Sequence, residues 1–214
     1  MKINFKKVNK AAIICLIVAF IISLSFTFLI SIVFKDIFNM ANMALKSLDN
    51  SYSTKTNDII VENIDGKKLI KSYPYIGQKY GDIYIKSVGI NLPIYFGDSN
   101  DILKYGVGHD EGSYFPGEGG SIIYGAHHSN DKFGKLRNIK INDIITVKTS
   151  YGEFNYKIHD IKIIKETDLH LLPIQRNNEV LMLYTCYPFG YLGYTTQRFA
   201  VYANIIDYDI GGDK

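Results

Sequence analysis

The hydrophobic and polar positions fall into three regimes along the chain. Residues 11–34 read AAIICLIVAFIISLSFTFLISIVF, with no charge, proline or glycine. As a helix rising about 1.5 Å per residue, this run is about 36 Å long, enough to cross a hydrocarbon core of roughly 30 Å with some tilt. Next, Ile37, Phe38, Met40, Met43, Ala44 and Leu48 keep helical spacing and predict a juxtamembrane helix. Residues 49–57, DNSYSTKTN, are polar and turn-rich and read as a linker or helix end. From Tyr80 onward the period shortens to that of strands.

Residues 82–86 alternate, and 92–96 form a second run in which Pro93 points to an edge or a strand start. Residues 100–105 fit a helical turn capped by Asn100 or Ser99, and the glycine-rich stretch 106–120 reads as loop. Residues 121–125, 144–148, 154–165, 180–185 and 198–206 read as further strands. Short strands, irregular loops and little helix predict a mainly β fold, a small closed or partly closed barrel. No internal repeat or low-complexity tract is present.

Charge changes how the first regime is read. Of the 24 basic and 21 acidic residues, five lysines and one aspartate lie in positions 1–36, giving that segment +4. The other 19 basic and 20 acidic residues leave the remainder at −1. The lysine excess before the apolar run predicts a cytoplasmic N-terminus and an extracellular remainder. A cleaved signal peptide would have an apolar region of roughly 7–15 residues and a small-x-small exit. Here the run is longer and leaves through Ile32-Val33-Phe34-Lys35, which favours an uncleaved anchor. A near-neutral remainder gives no concentrated basic footprint for nucleic acid. A hydrophobic content of 47% excludes disorder over most of the chain.

Only two cysteines occur, too few for a disulfide scaffold. Cys15 lies within the apolar run, so Cys186 stands alone in the extracellular part. It ends the apolar strand Leu181-Met-Leu-Tyr-Thr-Cys186 and precedes the loop Tyr187-Pro-Phe-Gly190. A strand end beside an open loop holds a nucleophile in place and leaves it accessible. A thiol attacks as thiolate and needs a basic or cationic neighbour. His127 and His128 follow the strand 121–125, and Arg198 begins the strand after Cys186, where antiparallel pairing returns it to the Cys186 end. Each has a plainer role as well: a buried small thiol, a structural histidine, a surface arginine. Their combination at strand ends is what points to nucleophilic catalysis.

The segment Leu183-Tyr184-Thr185-Cys186 resembles the sortase signature Thr-Leu-x-Thr-Cys, with Met182 in place of the first threonine. The continuations 187–193 and 197–203 look like those of class D sortases. The segments 91–97, 103–109 and 116–119 follow the usual sortase order, so the resemblance covers roughly residues 80–206. It implies an eight-stranded barrel with short helices, preceded by one transmembrane helix. It also implies a cysteine transpeptidase in which Cys186 is the nucleophile, His127 the general acid/base and Arg198 the electrostatic stabiliser. The family usually carries Gly-His at the histidine, whereas this chain has Gly125-Ala126-His127-His128. Alignment on the strand end selects His127; alignment on the distance to Phe133 leaves His128 open. Thr195-Thr196 stands where class D members often carry Ala-Pro. His109, common in related sortases outside the triad, reads as structural.

The implied organisation is a cytoplasmic segment 1–10, an anchor 11–34, a juxtamembrane helix and linker 35–79, a catalytic domain 80–208 and a tail 209–214. The implied partners are surface proteins bearing an LPxTG-like sorting signal, an amine acceptor from a peptidoglycan precursor, and the membrane through the N-terminal helix. No cofactor is implied. CxxC and HExxH spacings are absent, and no carboxylate cluster strong enough for calcium is present. Two other classes remain open: a catalytically silent, tethered barrel that binds extracellular peptides, and a structural domain whose Cys186 is merely buried.

Overall fold

A computed structural model describes residues 10–46, 56–64, 67–171, 175, 177–191 and 193–209. The expected segment 1–10 falls outside these except for Lys10, as do residues 49–55 of the expected linker and 210–214 of the tail. The chain divides into two compact units, Met1–Leu45 and Lys46–Lys214.

In the first unit a single helix, α1, runs Lys10–Lys46. Within it Ile13–Ile32 is long and apolar enough to cross a membrane. Its large side chains, among them Ile14, Leu16, Phe20 and Phe28, are exposed rather than packed. Such an apolar surface fits a lipid environment. Three of its hydroxyls bond within the helix: those of Ser25 and Ser31 donate to the carbonyls of Ile21 and Thr27, each at 2.9 Å, and that of Thr27 to the carbonyl of Ser23 at 2.6 Å. Lipid offers no other partner, so this self-contained bonding is what a spanning helix requires.

The second unit begins with an antiparallel hairpin, β1 Ile60–Ile64 and β2 Lys67–Ser72. It lies in the stretch read from sequence as helix and linker. β2 buries only Lys68 and Ile70 and β1 buries nothing, so the alternating apolar signal is nearly absent. The hairpin nonetheless belongs to the folded unit: Ile70 is in the core, and the Lys68 N–H donates to the Gly117 carbonyl at 2.7 Å.

Eight strands close a barrel: β3 Lys79–Ile85, β4 Ile90–Phe96, β5 Val107–His109, β6 Ser121–Gly125, β7 Ile144–Thr149, β8 Gly152–Lys165, β9 Val180–Tyr187 and β10 Gln197–Asp209. The order around the barrel is β10-β8-β7-β3-β4-β5-β6-β9. The contacts β4–β5 and β6–β9 are parallel and the rest antiparallel. Period-two alternation sends Ile83, Ile85, Ile90, Leu92, Ile94, Ile145, Val147, Leu181, Leu183, Val201 and Ala203 inward to one core. Pro93 pairs with Asp82 on the β3 side, before β5 joins β4 at Ile94, so its missing N–H costs no ladder bond there. β5 falls in the stretch read as loop; three residues around Gly108 are too few to show a period. Short helical pieces fill the connections, including α2, Asn100–Leu103, and 3-10 turns at Phe133–Asn138 and Glu166–Leu171.

The loop before β6 is tied to the start of β9 by a buried carboxylate. Glu179 accepts the N–H groups of Gly117 and Gly119 at 3.0 and 2.9 Å and the Tyr156 hydroxyl at 2.6 Å. Gly117 and Gly119 have φ of +87° and +79°, where a side chain would be strained, so glycine is what lets both amides turn toward Glu179.

Candidate active site

The parity that sends Leu181, Leu183 and Thr185 inward sends Met182, Tyr184 and Cys186 to the outer face of β9. On β10, the same rule groups Arg198 and Ala200 with that outer face. Arg198 is directly opposite Cys186 in the antiparallel ladder. Side chains so opposed lie about 4.5–5.5 Å apart at Cβ. The expected return of the arginine to the cysteine end is therefore found. Cys186 is a free, half-buried thiol, and Arg198 is buried.

The histidine arrives from the other neighbour of β9. In the parallel β6–β9 ladder Gly125 pairs with Tyr184. His127 and Cys186 are each two residues beyond that rung. The connection stays tight past the strand end: the Ala126 N–H donates to the Tyr184 carbonyl at 3.2 Å, and the buried Thr185 hydroxyl donates to the Ala126 carbonyl at 2.8 Å. Thr185 thus clamps the residue before His127 to the residue before Cys186. The Tyr184 ring lies across Gly125, where a Cβ would come within 2.5 Å of the ring, and its hydroxyl donates to Asp98 at 3.2 Å.

The two adjacent histidines have different surroundings. His128 Nε2–H donates to the Tyr191 carbonyl at 2.9 Å, which occupies its ring in holding the β9–β10 connection. His127 Nε2 is buried and has no hydrogen-bond partner. Burial, followed by the nearby His128 and Lys132, holds the His127 imidazole below its ordinary value. A neutral ring with an unclaimed nitrogen is suited to accept a proton at neutral pH.

His109, the histidine read as structural, is inside the barrel. It is fully buried, its Nδ1 shares a 2.8 Å hydrogen bond with the Tyr80 hydroxyl, and Phe115 and Tyr124 pack edge-on against it. Burial pushes it down to about 3.

The family model for the sortase domain matches residues 83–206. The chain belongs to the sortase family. It is 34% identical to Sortase D of Bacillus subtilis over 162 residues, covering 76% of this chain and 79% of that protein. Its fold is similar to that of Clostridium perfringens sortase C with the C-terminal cell wall sorting motif, at 33% identity and a TM-score of 0.56, covering 62% of this chain and 73% of that one. Sortase C1 from Streptococcus agalactiae matches with a TM-score of 0.56 and 31% identity, over 61% of this chain and 69% of the other. Sortases are cysteine transpeptidases, and the closed eight-stranded barrel is theirs.

Sequence reasoning did not single out Glu166, Tyr194, Thr185 or Asp98. Thr185 sits within the sortase signature and could have been found there. Glu166 opens a 3-10 turn and Tyr194 lies in an irregular connection, so no periodic signal marks either.

Proposed function

We propose that this sortase is a membrane-anchored transpeptidase, most like class D, that cuts an LPxTG-like sorting signal through Cys186 and passes the acyl group to a cell-wall amine. The observation that carries this is the register bringing Cys186, Arg198 and His127 to one end of β9 from three adjacent strands.

His127 takes the thiol proton, and the Cys186 sulfur attacks the threonine carbonyl of the signal. Arg198 stabilises the resulting oxyanion, because a guanidinium stays protonated and offers a planar set of donors. His127 returns its proton to the departing glycine amine as the C–N bond breaks, leaving a thioester on Cys186. An incoming amine attacks that thioester, gives a proton to His127 and releases the thiolate. The sorting motif named in the C. perfringens structure supports this substrate class. The acceptor is an amine of a peptidoglycan precursor. The apolar helix holds the enzyme in the membrane with the N-terminus cytoplasmic and the catalytic unit outside; protection of the barrel from protease added to intact cells would contradict that orientation.

The test is a panel of LPxTG-like peptides incubated with the full chain, with and without a small amine. Cleavage between threonine and glycine, with an amide product only when amine is present, is expected. Binding of the peptides without cleavage would instead identify a silent peptide-binding barrel.

A further inference from the structure

Arg198 is held by a frame built from two separate segments. Its Nη1 donates to the Thr195 carbonyl at 2.8 Å, the Thr195 hydroxyl at 3.2 Å and the Gln197 carbonyl at 2.9 Å. Its Nη2 is ion-paired with Glu166 Oε1. Glu166 Oε2 accepts the Tyr194 hydroxyl at 2.5 Å, and the Glu166 N–H donates to the Thr196 carbonyl at 2.8 Å. Glu166 opens the 3-10 turn after β8, whereas Thr195, Thr196 and Tyr194 belong to the β9–β10 connection. The Nε–H carries none of these bonds.

A carboxylate beside an oxyanion-stabilising arginine needs a reason. Its negative charge opposes the field that the developing oxyanion needs, so on charge alone Glu166 works against the reaction. Its benefit is geometric. A long arginine side chain has many rotamers, and catalysis depends on holding donors within a fraction of an ångström of their target. Two carboxylate oxygens, one on Nη2 and one on a tyrosine hydroxyl, fix the guanidinium plane as a single hydrogen bond could not. We infer that Glu166, braced by Tyr194, is a positioning residue for transpeptidation: it sets the plane of Arg198 and leaves the Nε–H edge for the oxyanion over Cys186. This rests on the proposed sortase reaction.

Two substitutions in the full chain separate orientation from charge. Glu166→Gln keeps an acceptor for Nη2, and its amide N–H can donate to the Tyr194 oxygen, so the frame survives without the negative charge. Glu166→Ala removes the frame. Expected for Glu166→Ala is a loss in kcat of about tenfold with KM changed by less than about twofold. Glu166→Gln should restore kcat to within about threefold of the parent or exceed it, and Tyr194→Phe should lie between. A second readout needs no substrate. The chain has three arginines, so the Arg198 guanidinium 15N signals can be assigned by loss in Arg198→Lys. They should be resolved and slowly rotating in the parent and in Glu166→Gln, and averaged in Glu166→Ala. Failure of the parent to turn over any peptide would reject the proposed function, and the NMR arm would still decide the frame. Unchanged Arg198 signals in Glu166→Ala, full activity in that variant, or equal damage from Gln and Ala would each overturn the inference.

Discussion

The inside of the barrel and its outer face hold two histidine sites with opposite consequences. Inside, His109 on β5 is enclosed by Tyr80, Phe115 and Tyr124 and has no exposed surface. Outside, His127 follows β6 at an open strand end, beside the strand that carries Cys186. Burial lowers both imidazoles, but by different degrees and to different effect. His109 is driven so low that it stays neutral across the physiological range and serves only packing and hydrogen bonding. The Nε2 of each ring lacks a hydrogen-bond partner, so what separates them is burial: His127 is only partly desolvated and stands at a strand end, where it can still exchange a proton. One residue type becomes a core side chain or a candidate acid/base according to strand parity and strand length, because parity picks the face and the strand end gives the opening.

The sharpest way to break this contrast is at the outer site. His127→Ala should reduce kcat/KM by about 10²–10⁴ while leaving thermal stability near that of the parent. His128→Ala should cost only a few-fold, because its ring holds the Tyr191 carbonyl instead of the reacting atoms. The opposite ranking, read from steady-state rates, would transfer the acid/base role one residue along.

Arg198→Lys comes next. A lysine keeps the charge but lacks the planar fork, and it cannot reproduce the bonds to Thr195, Gln197 and Glu166 together. A rate loss of about 10²–10³, or roughly 3–4 kcal/mol in the barrier, is expected. A near-parental rate would make Arg198 a generic cation.

The inner site should respond in stability. His109→Ala leaves a cavity and removes a partner from the buried Tyr80 hydroxyl, a loss of roughly 2–4 kcal/mol by thermal or denaturant unfolding. Turnover per folded molecule should hold. The pH dependences should separate in the same way. The unfolded chain binds a proton at His109 near 6.5 and the folded chain only near 3, so this contribution to stability is complete above about pH 6.5 and is lost as pH falls toward 3. At His127 the neutral ring must accept the thiol proton, and its value lies below 6.5, so the acid limb of kcat/KM should fall below that pH. An acid limb above pH 6.5 would place the essential base elsewhere.

What the sequence made legible follows the same division. The apolar run at 11–34 was readable from its length and its lack of charge, and the strands of a small barrel because burial on one face imposes a period of 2. The meeting of Cys186 and Arg198 at one strand end was readable because antiparallel return brings them together. The hairpin β1–β2 was missed because it buries so little, and β5 because three residues cannot show a period. Glu166 and Tyr194 were invisible because their pairing depends on two irregular connections meeting in space. His127 and His128 remained alternatives in the sequence; their surroundings differ, with His128 Nε2 bonded to Tyr191 and His127 Nε2 without a partner.

The central claim is that the outer face of β9 carries a nucleophilic cysteine, and its most direct test is the mass of the enzyme after a single turnover without acceptor amine. With a cleavable LPxTG-like peptide, the full chain should gain the mass of the acyl fragment ending in threonine. Digestion should place that mass on Cys186, and free amine should discharge it. Cys186→Ala should gain nothing while keeping its fold. Peptide cleavage with no adduct, or an adduct on any other residue, would contradict the account.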